Sequence, residues 1–189
     1  MRTKLLRIIT EWSQKHSLHP KKCYLLGGLP HKQPGWNVIL DLSSFYKKIR
    51  LVDYNLGLPN QNRNEAEQLL QCFAGTNEPL PSNVRPLLGH ELKEFDAFMN
   101  ADIYIIAPNW LTLFDDIKYQ FKSDCNIFIV SELIKGSNER YSGLYDSLKT
   151  NSGYDNVTLY SINPTDAAEL SFYFSSIFNE VNLICAYKK

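Results

Sequence analysis

Ala101-Asp-Ile-Tyr-Ile-Ile-Ala-Pro-Asn-Trp110 is a short apolar run of β-favouring residues that halts at a proline. Ile103 to Ala107 predicts a core strand. Pro108 closes it, because proline has no N–H to donate to the ladder. The acidic, amphipathic run before it predicts a helix over 89–100, with Leu92, Phe95 and Met99 on one stripe. In a parallel sheet the carboxyl end of a strand opens onto a crevice where ligands bind. Pro108, Asn109 and Trp110 are therefore expected on a functional rim.

Other strands and helices alternate around this one. Residues 3–17 read as an amphipathic helix, with Leu5, Leu6, Ile8, Ile9 and Trp12 on one side. His19-Pro20 ends it. Cys23-Tyr-Leu-Leu closes on Gly27-Gly28 and predicts the first core strand, followed by a loop from Leu29 to Pro34. The segment 36–47 carries both a strand-like Val38-Ile-Leu and a helical pattern of Val38, Leu42, Phe45 and Tyr46. Helix is the better reading, because a crossover must follow the first strand of a parallel sheet. Ile49 to Asn55 predicts the second strand, and 62–74 a helix with Ala66, Leu69, Leu70 and Phe73 inward. Residues 75–86 read as a loop. Asn156 to Ile162 and Val181 to Tyr187 predict the last two strands, with a helix over 167–179 between them. This alternation implies an α/β sandwich with a mostly parallel sheet. By propensity alone Ile127-Phe-Ile-Val is a strand.

Composition narrows the function classes. The 189 residues carry 20 basic and 20 acidic side chains, with 44% hydrophobic content. That supports one core, and a single domain over residues 1–189 is expected. A net charge of zero leaves no basic field for nucleic acid or an anionic membrane. No apolar run approaches a membrane span. Lys4, Arg7, Glu11 and Lys15 make the amino terminus too polar for a signal peptide, so a cytoplasmic location is expected. Cys23, Cys72, Cys125 and Cys185 are scattered and read as buried thiols rather than a disulfide or metal framework. The four histidines lack zinc spacing, and neither a Walker loop nor a Gly-x-Ser-x-Gly elbow occurs.

Several segments in order resemble the flavodoxin-like NAD(P)H:quinone oxidoreductases and FMN-dependent azoreductases. These are Val52-Asp-Tyr-Asn-Leu-Gly-Leu-Pro59, Phe95 to Asp102, Ile103 to Trp110, Lys135-Gly-Ser-Asn-Glu-Arg-Tyr-Ser-Gly-Leu-Tyr145 and Glu169 to Ile184. The resemblance spans residues 23–187. It implies a flavodoxin-like three-layer sandwich with a five-stranded parallel sheet of order 2-1-3-4-5, whose switch point holds FMN. It also implies that 126–133 ends a helix. The family's helix after the fifth strand has no counterpart here, and the amino-terminal helix is expected to fill its slot.

The resemblance implies a reductase in which hydride passes from NAD(P)H to FMN and then to a quinone or azo acceptor. Three loops would meet the flavin. In the first, Gly27 and Gly28 allow close backbone approach and His31 or Lys32 offsets phosphate charge, although the family's serines are missing and two prolines remove donors. In the second, Pro108, Asn109, Trp110 and Leu111 match "pro-x-trp-asn", with the asparagine displaced to the other side of the tryptophan. In the third, Ser161 and Asn163 stand where the family has "ser-arg-gly-gly", and Pro164 stiffens the turn. Each segment has a plainer structural reading: an ordinary turn, a core anchor at Trp110, and a helix cap at Asn163 or Thr165. Tyr141 would border the substrate across a homodimer, with Tyr119 and Phe121 as further interface aromatics.

Two other functions fit the same residues. One is a flavodoxin-like binding or regulatory module that has lost its flavin. The other is a Rossmann-like hydrolase or nucleoside-processing enzyme using Asp41 or Glu132. Asp41, Asp53 and Glu132 are also the acids to consider for a metal, although the predicted elements do not bring them together.

Overall fold

The computed structural model of the protein describes residues 4–27, 30, 32–53, 56, 61–87, 101–106, 126–134, 144–151, 154–162 and 180–188. Among them the chain runs α1 (Lys4–Lys15), β1 (Lys22–Leu26), α2 (Lys32–Phe45), β2 (Lys48–Val52), α3 (Arg63–Ala74), β3 (Val84–Pro86), β4 (Ile103–Ile106), β5 (Asn126–Ile134), α4 (Leu144–Asn151), β6 (Asn156–Ile162) and β7 (Glu180–Lys188).

The strands form one sheet of order β3-β2-β1-β4-β5-β7-β6. β3, β2, β1, β4 and β5 are parallel neighbours. β7 runs antiparallel to both β5 and β6. The α/β class and the parallel core thus stand as the sequence predicts. So does the middle of the order, in which β1 lies between β2 and β4. The flavodoxin-like arrangement does not stand. A five-stranded 2-1-3-4-5 sheet has no place for β3 beyond β2 or for a reversed strand between β5 and β6, and its fourth position is held by β5 rather than by the segment 156–162.

The helix implied over 126–133 is likewise replaced by β5. Ile127, Phe128, Ile129 and Val130 take the extended state that β-branched and aromatic residues favour, each paired with a residue of β4. The loop expected to reach Pro34 stops sooner, because α2 begins at Lys32. Proline is tolerated in a first turn, where its missing N–H would have had no intrahelical acceptor.

Strand alternation sorts the core into two faces. Cys23, Leu25, Ile49, Leu51, Ile103, Ile105, Leu183 and Cys185 share a cluster with Leu6, Ile9 and Trp12 of α1, and with Trp36, Ile39 and Leu42 of α2. Ala66 and Leu70 of α3 join the same layer. On the opposite side, Tyr24 and Tyr104 meet edge to face at 5.8 Å. Leu26, Ile106 and Ile184 are fully buried.

α1 is built into this core. Leu6, Ile9 and Trp12 are 0%, 0% and 1% exposed. The Trp12 indole Nε1 donates to Thr158 Oγ1 of β6 at 3.2 Å, and its ring lies 5.8 Å from Tyr187 of β7. The helix therefore ties the far, antiparallel end of the sheet to the chain's beginning.

Local chemistry fixes the helix ends. Asn62 and Glu65 form a capping box on α3, each side chain bonded to the other's backbone N–H at 2.9 Å. Gly75 closes α3 at φ 68, its N–H donating to Cys72 and the Thr76 N–H to Gln71. That is a Schellman turn, which needs a left-handed residue where only glycine is unstrained. Asp102 begins β4 and takes the backbone N–H groups of Lys21 and Lys22 on one oxygen, at 2.8 and 2.9 Å. It thereby sets the start of β1 against the start of β4. Among the described residues, no helix is long and apolar enough to cross a membrane.

Candidate functional site

In this sheet the chain turns one way from β1, through β2 to β3, and the other way to β4. An open parallel sheet has its ligand crevice at such a switch, outside the strands' carboxyl ends. Register places these ends level: Leu26 of β1 pairs with both Val52 of β2 and Ile106 of β4.

Two residues stand at that edge. Gly27 follows β1 directly, is buried, and has φ 83, a left-handed conformation that a side chain would strain. Its N–H donates to the Val52 carbonyl at 2.8 Å, binding the first turn to the end of β2. Asp53 follows β2 directly and is only 3% exposed. Its backbone carbonyl accepts the Leu56 N–H at 3.0 Å, and Leu56 is fully buried. The Gly27–Val52 bond thus sets Asp53 beside the turn that follows β1. Next to it, the Leu87 N–H donates to the Leu51 carbonyl at 2.8 Å and carries β3 to the same edge.

A buried carboxylate at this place is a concentrated acceptor. Low surrounding polarity strengthens each hydrogen bond it receives. In dinucleotide-binding sheets, an acid at the end of the second strand, about 20 residues beyond the glycine turn, accepts from the ribose hydroxyls. Here Asp53 stands 26 residues after Gly27. Sequence reasoning treated Asp53 only as a metal candidate.

The expected site residues are distributed differently. Gly28, His31, Pro108, Asn109, Trp110, Leu111, Tyr141 and Asn163 lie outside the described residues, as do Tyr119, Phe121 and Thr165. Lys32 is the first residue of α2. Ser161 is in β6, separated from β4 by β5 and β7. Three strand spacings of about 4.8 Å place its strand roughly 14 Å from β4, on the side away from the switch point. The three acids do not converge. Asp41 is on α2, Asp53 follows β2, and Glu132 is in β5 opposite Asn182. Among the described residues no group of histidine, cysteine and acid side chains is disposed to hold a metal. Cys23 and Cys185 are buried free thiols, and burial pushes both well above the usual thiol range. Cys72 is exposed, against expectation, on the outer side of α3. Cys125 lies outside the described residues.

No protein-family model matches the chain, and neither does any curated protein sequence. Solved structures do. The structure is similar to the delta-N METTL16 MTase domain, with a TM-score of 0.54 at 12% identity, over 97% of this chain and 83% of that one. It is similar to precorrin-6y C5,15-methyltransferase of Geobacter metallireducens, with a TM-score of 0.50 at 13% identity, over 89% and 80% of the two chains. Cofactor-bound Rv0187 from MTB gives a TM-score of 0.50 at 12% identity, over 87% and 72%.

These findings overturn the flavin reading. The β2-β1-β4 middle is as expected, but the sheet around it carries β3 beyond β2 and a reversed β7 between β5 and β6, which the FMN-binding order lacks. Two of these three similar structures carry methyltransferase names rather than those of quinone or azo reductases. FMN, NAD(P)H and the reductase activity are withdrawn, and with them the flavin-free flavodoxin module. What these structures share with this chain is a Rossmann-like α/β fold whose parallel core runs 3-2-1-4.

Proposed function

We propose that the protein is a methyltransferase of Rossmann-like fold that binds S-adenosylmethionine in the crevice between β1, β2 and β4. The observation that carries this reading is Asp53, a buried carboxylate at the carboxyl end of β2 beside the left-handed Gly27 turn. The likeness of fold to the METTL16 MTase domain and to the precorrin methyltransferase supports it.

The residues present fit such a cofactor. Asp53 would hold the ribose hydroxyls by charge-assisted hydrogen bonds. Gly27, with no side chain, leaves its backbone open to close approach. Pro30, ahead of α2, and Pro34, in its first turn, deny N–H donors to a phosphate. S-adenosylmethionine has no phosphate, so the feature that weakened a nucleotide or FMN site costs nothing here. When bound, the cofactor supplies an electrophilic methyl group. The chain's part is to fix the nucleoside with Asp53 and to keep the crevice floor dry with Leu26, Val52, Leu56 and Ile106, all fully buried.

Thermal unfolding with and without ligand tests the reading. S-adenosylhomocysteine at 100 times its dissociation constant should stabilise the full chain by about 2.7 kcal/mol. For a protein of this size that is a rise of roughly 5–11 °C. FMN at the same concentration should leave the transition in place. A shift with FMN and none with S-adenosylhomocysteine would reverse the assignment.

A further inference from the structure

A pocket of about 320 Å³ lies at the other edge of the sheet, between the carboxyl end of α1, the loop into β1 and the corner between α2 and β2. Its volume is within the lower range of small-molecule sites. Ser13, Leu18, His19, Lys21, Phe45 and Lys47 are among its lining. Lys21 and Lys47 immediately precede β1 and β2, so the pocket sits at the strands' amino ends, the whole length of the sheet away from Asp53.

Its chemistry is two-sided. Phe45 presents an apolar ring that is 38% exposed, and Leu18 is half-buried beside it. Lys21, Lys47 and His19 are exposed, and among the described residues no acidic side chain lines the pocket. Ser13 is 3% exposed, and its Oγ has no hydrogen-bond partner among the described residues.

Cations beside two helix carboxyl ends invite a simpler role, as caps for free carbonyls. The local hydrogen bonds argue against it. α1 closes on Ser17, at φ 56, whose N–H donates to Gln14 at 3.1 Å, while the Leu18 N–H donates to Ser13 at 2.8 Å. At the end of α2, the Asn83 side-chain amide donates to the Ser43 and Tyr46 carbonyls at 2.7 and 2.9 Å. Asp102 spends one carboxylate oxygen on the backbone of Lys21 and Lys22. The helix ends are capped by other groups, and Lys21 and Lys47 line the pocket together with Leu18 and Phe45.

We propose that this pocket binds a small organic carboxylate with an apolar body, its chain against Leu18 and Phe45 and its carboxylate between Lys21 and Lys47. The site is independent of the crevice at Asp53, and its failure would leave the methyltransferase reading untouched.

The test is a titration of the isotope-labelled full chain with hexanoate, followed by amide NMR shifts. Saturable shifts are expected at Leu18, Lys21, Phe45 and Lys47, with Gly27 and Asp53 unmoved. Hexanamide, the neutral counterpart, should bind roughly tenfold more weakly, and so should hexanoate to the Lys21→Gln, Lys47→Gln double variant. That variant should melt with the parent protein, since both side chains are exposed. Three results would overturn the proposal: shifts that never saturate, equal binding of hexanamide, or inorganic phosphate binding as tightly as hexanoate, which would make the site a basic patch only.

Discussion

Replacing Trp12 with alanine should remove a large part of the protein's stability. Trp12 is 1% exposed, in a cluster with residues of β1, β4 and β7. Its ring pairs with Tyr187 at 5.8 Å and with His16 at 5.4 Å, and its N–H bonds Thr158 across the sheet. Truncating a buried tryptophan costs about 3–5 kcal/mol, cavity included. Total stabilities are about 5–15 kcal/mol, so this single change is a large fraction. At about 2–4 °C per kcal/mol for a chain of this length, the midpoint should fall by roughly 6–20 °C.

Trp12→Phe separates the parts. It keeps a ring in the cluster and loses the indole N–H, while Thr158 still donates to Asn156 Oδ1 at 2.8 Å. Its cost should be about 1–2 kcal/mol, the loss of a hydrogen bond and some volume. Combining it with Thr158→Val should be less than additive, because the two residues share one interaction. Urea unfolding followed by circular dichroism gives these values. If Trp12→Ala unfolds at the parent's urea midpoint, α1 is not part of the core and the packing argument fails.

Asn62→Ala should cost about 1 kcal/mol by removing the cap of α3; Gly75→Ala should cost about 1–2 kcal/mol from left-handed strain alone, since nothing stands within 4 Å of the added carbon. Paired urea titrations check both. A thiol reagent followed by peptide mapping should label Cys72 in the native protein and reach Cys23 and Cys185 only on unfolding; native labelling of either buried thiol would contradict the core assignment. The same burial makes stability fall at alkaline pH. Desolvation raises the folded-state pKa of Cys23, Cys185, Tyr46 and Tyr104, so the native state holds protons that the unfolded chain releases. The contribution is complete below about pH 8.5 for the thiols and about pH 10 for the tyrosines, and is lost above those values. Urea midpoints measured from pH 7 to 11 should decline accordingly, and Cys23→Ala should show a shallower decline near pH 9.

Elements bounded by strong local punctuation were legible in the sequence. β1 ends on glycines and β4 precedes Pro108, so both apolar runs had a visible stop, whereas β2, expected to reach Asn55, ends at Val52. α3 was legible from the stripe of Ala66, Leu69, Leu70 and Phe73. β3 was not, because Val84-Arg-Pro86 is three residues in a proline-rich stretch, and only its place at the sheet edge tolerates the proline. β5 was readable from Ile127-Phe-Ile-Val, and the family resemblance pulled the reading the wrong way. The exchange of β6 and β7 could not be read locally. Both are apolar strands, and which one lies next to β5 depends on pairing across more than 40 residues of chain, with Asn126 opposite Lys188. The crevice was half legible. Gly27 was seen as a place of close approach, but Asp53 gained meaning only when β2 was placed beside β1. The rim at Pro108, Asn109 and Trp110 lies outside the described residues.

Asp53 as the acceptor for a ribose is tested most directly by calorimetry on two proteins. S-adenosylhomocysteine should bind the full chain saturably at one site. Asp53→Asn keeps the shape but loses the charge, and should weaken that binding by roughly tenfold or more, as expected for a buried charge-assisted bond of about 1.5–3 kcal/mol. Circular dichroism should show that the variant is folded. No heat of binding to the parent protein, or an affinity unchanged in the folded Asp53→Asn variant, would contradict the account.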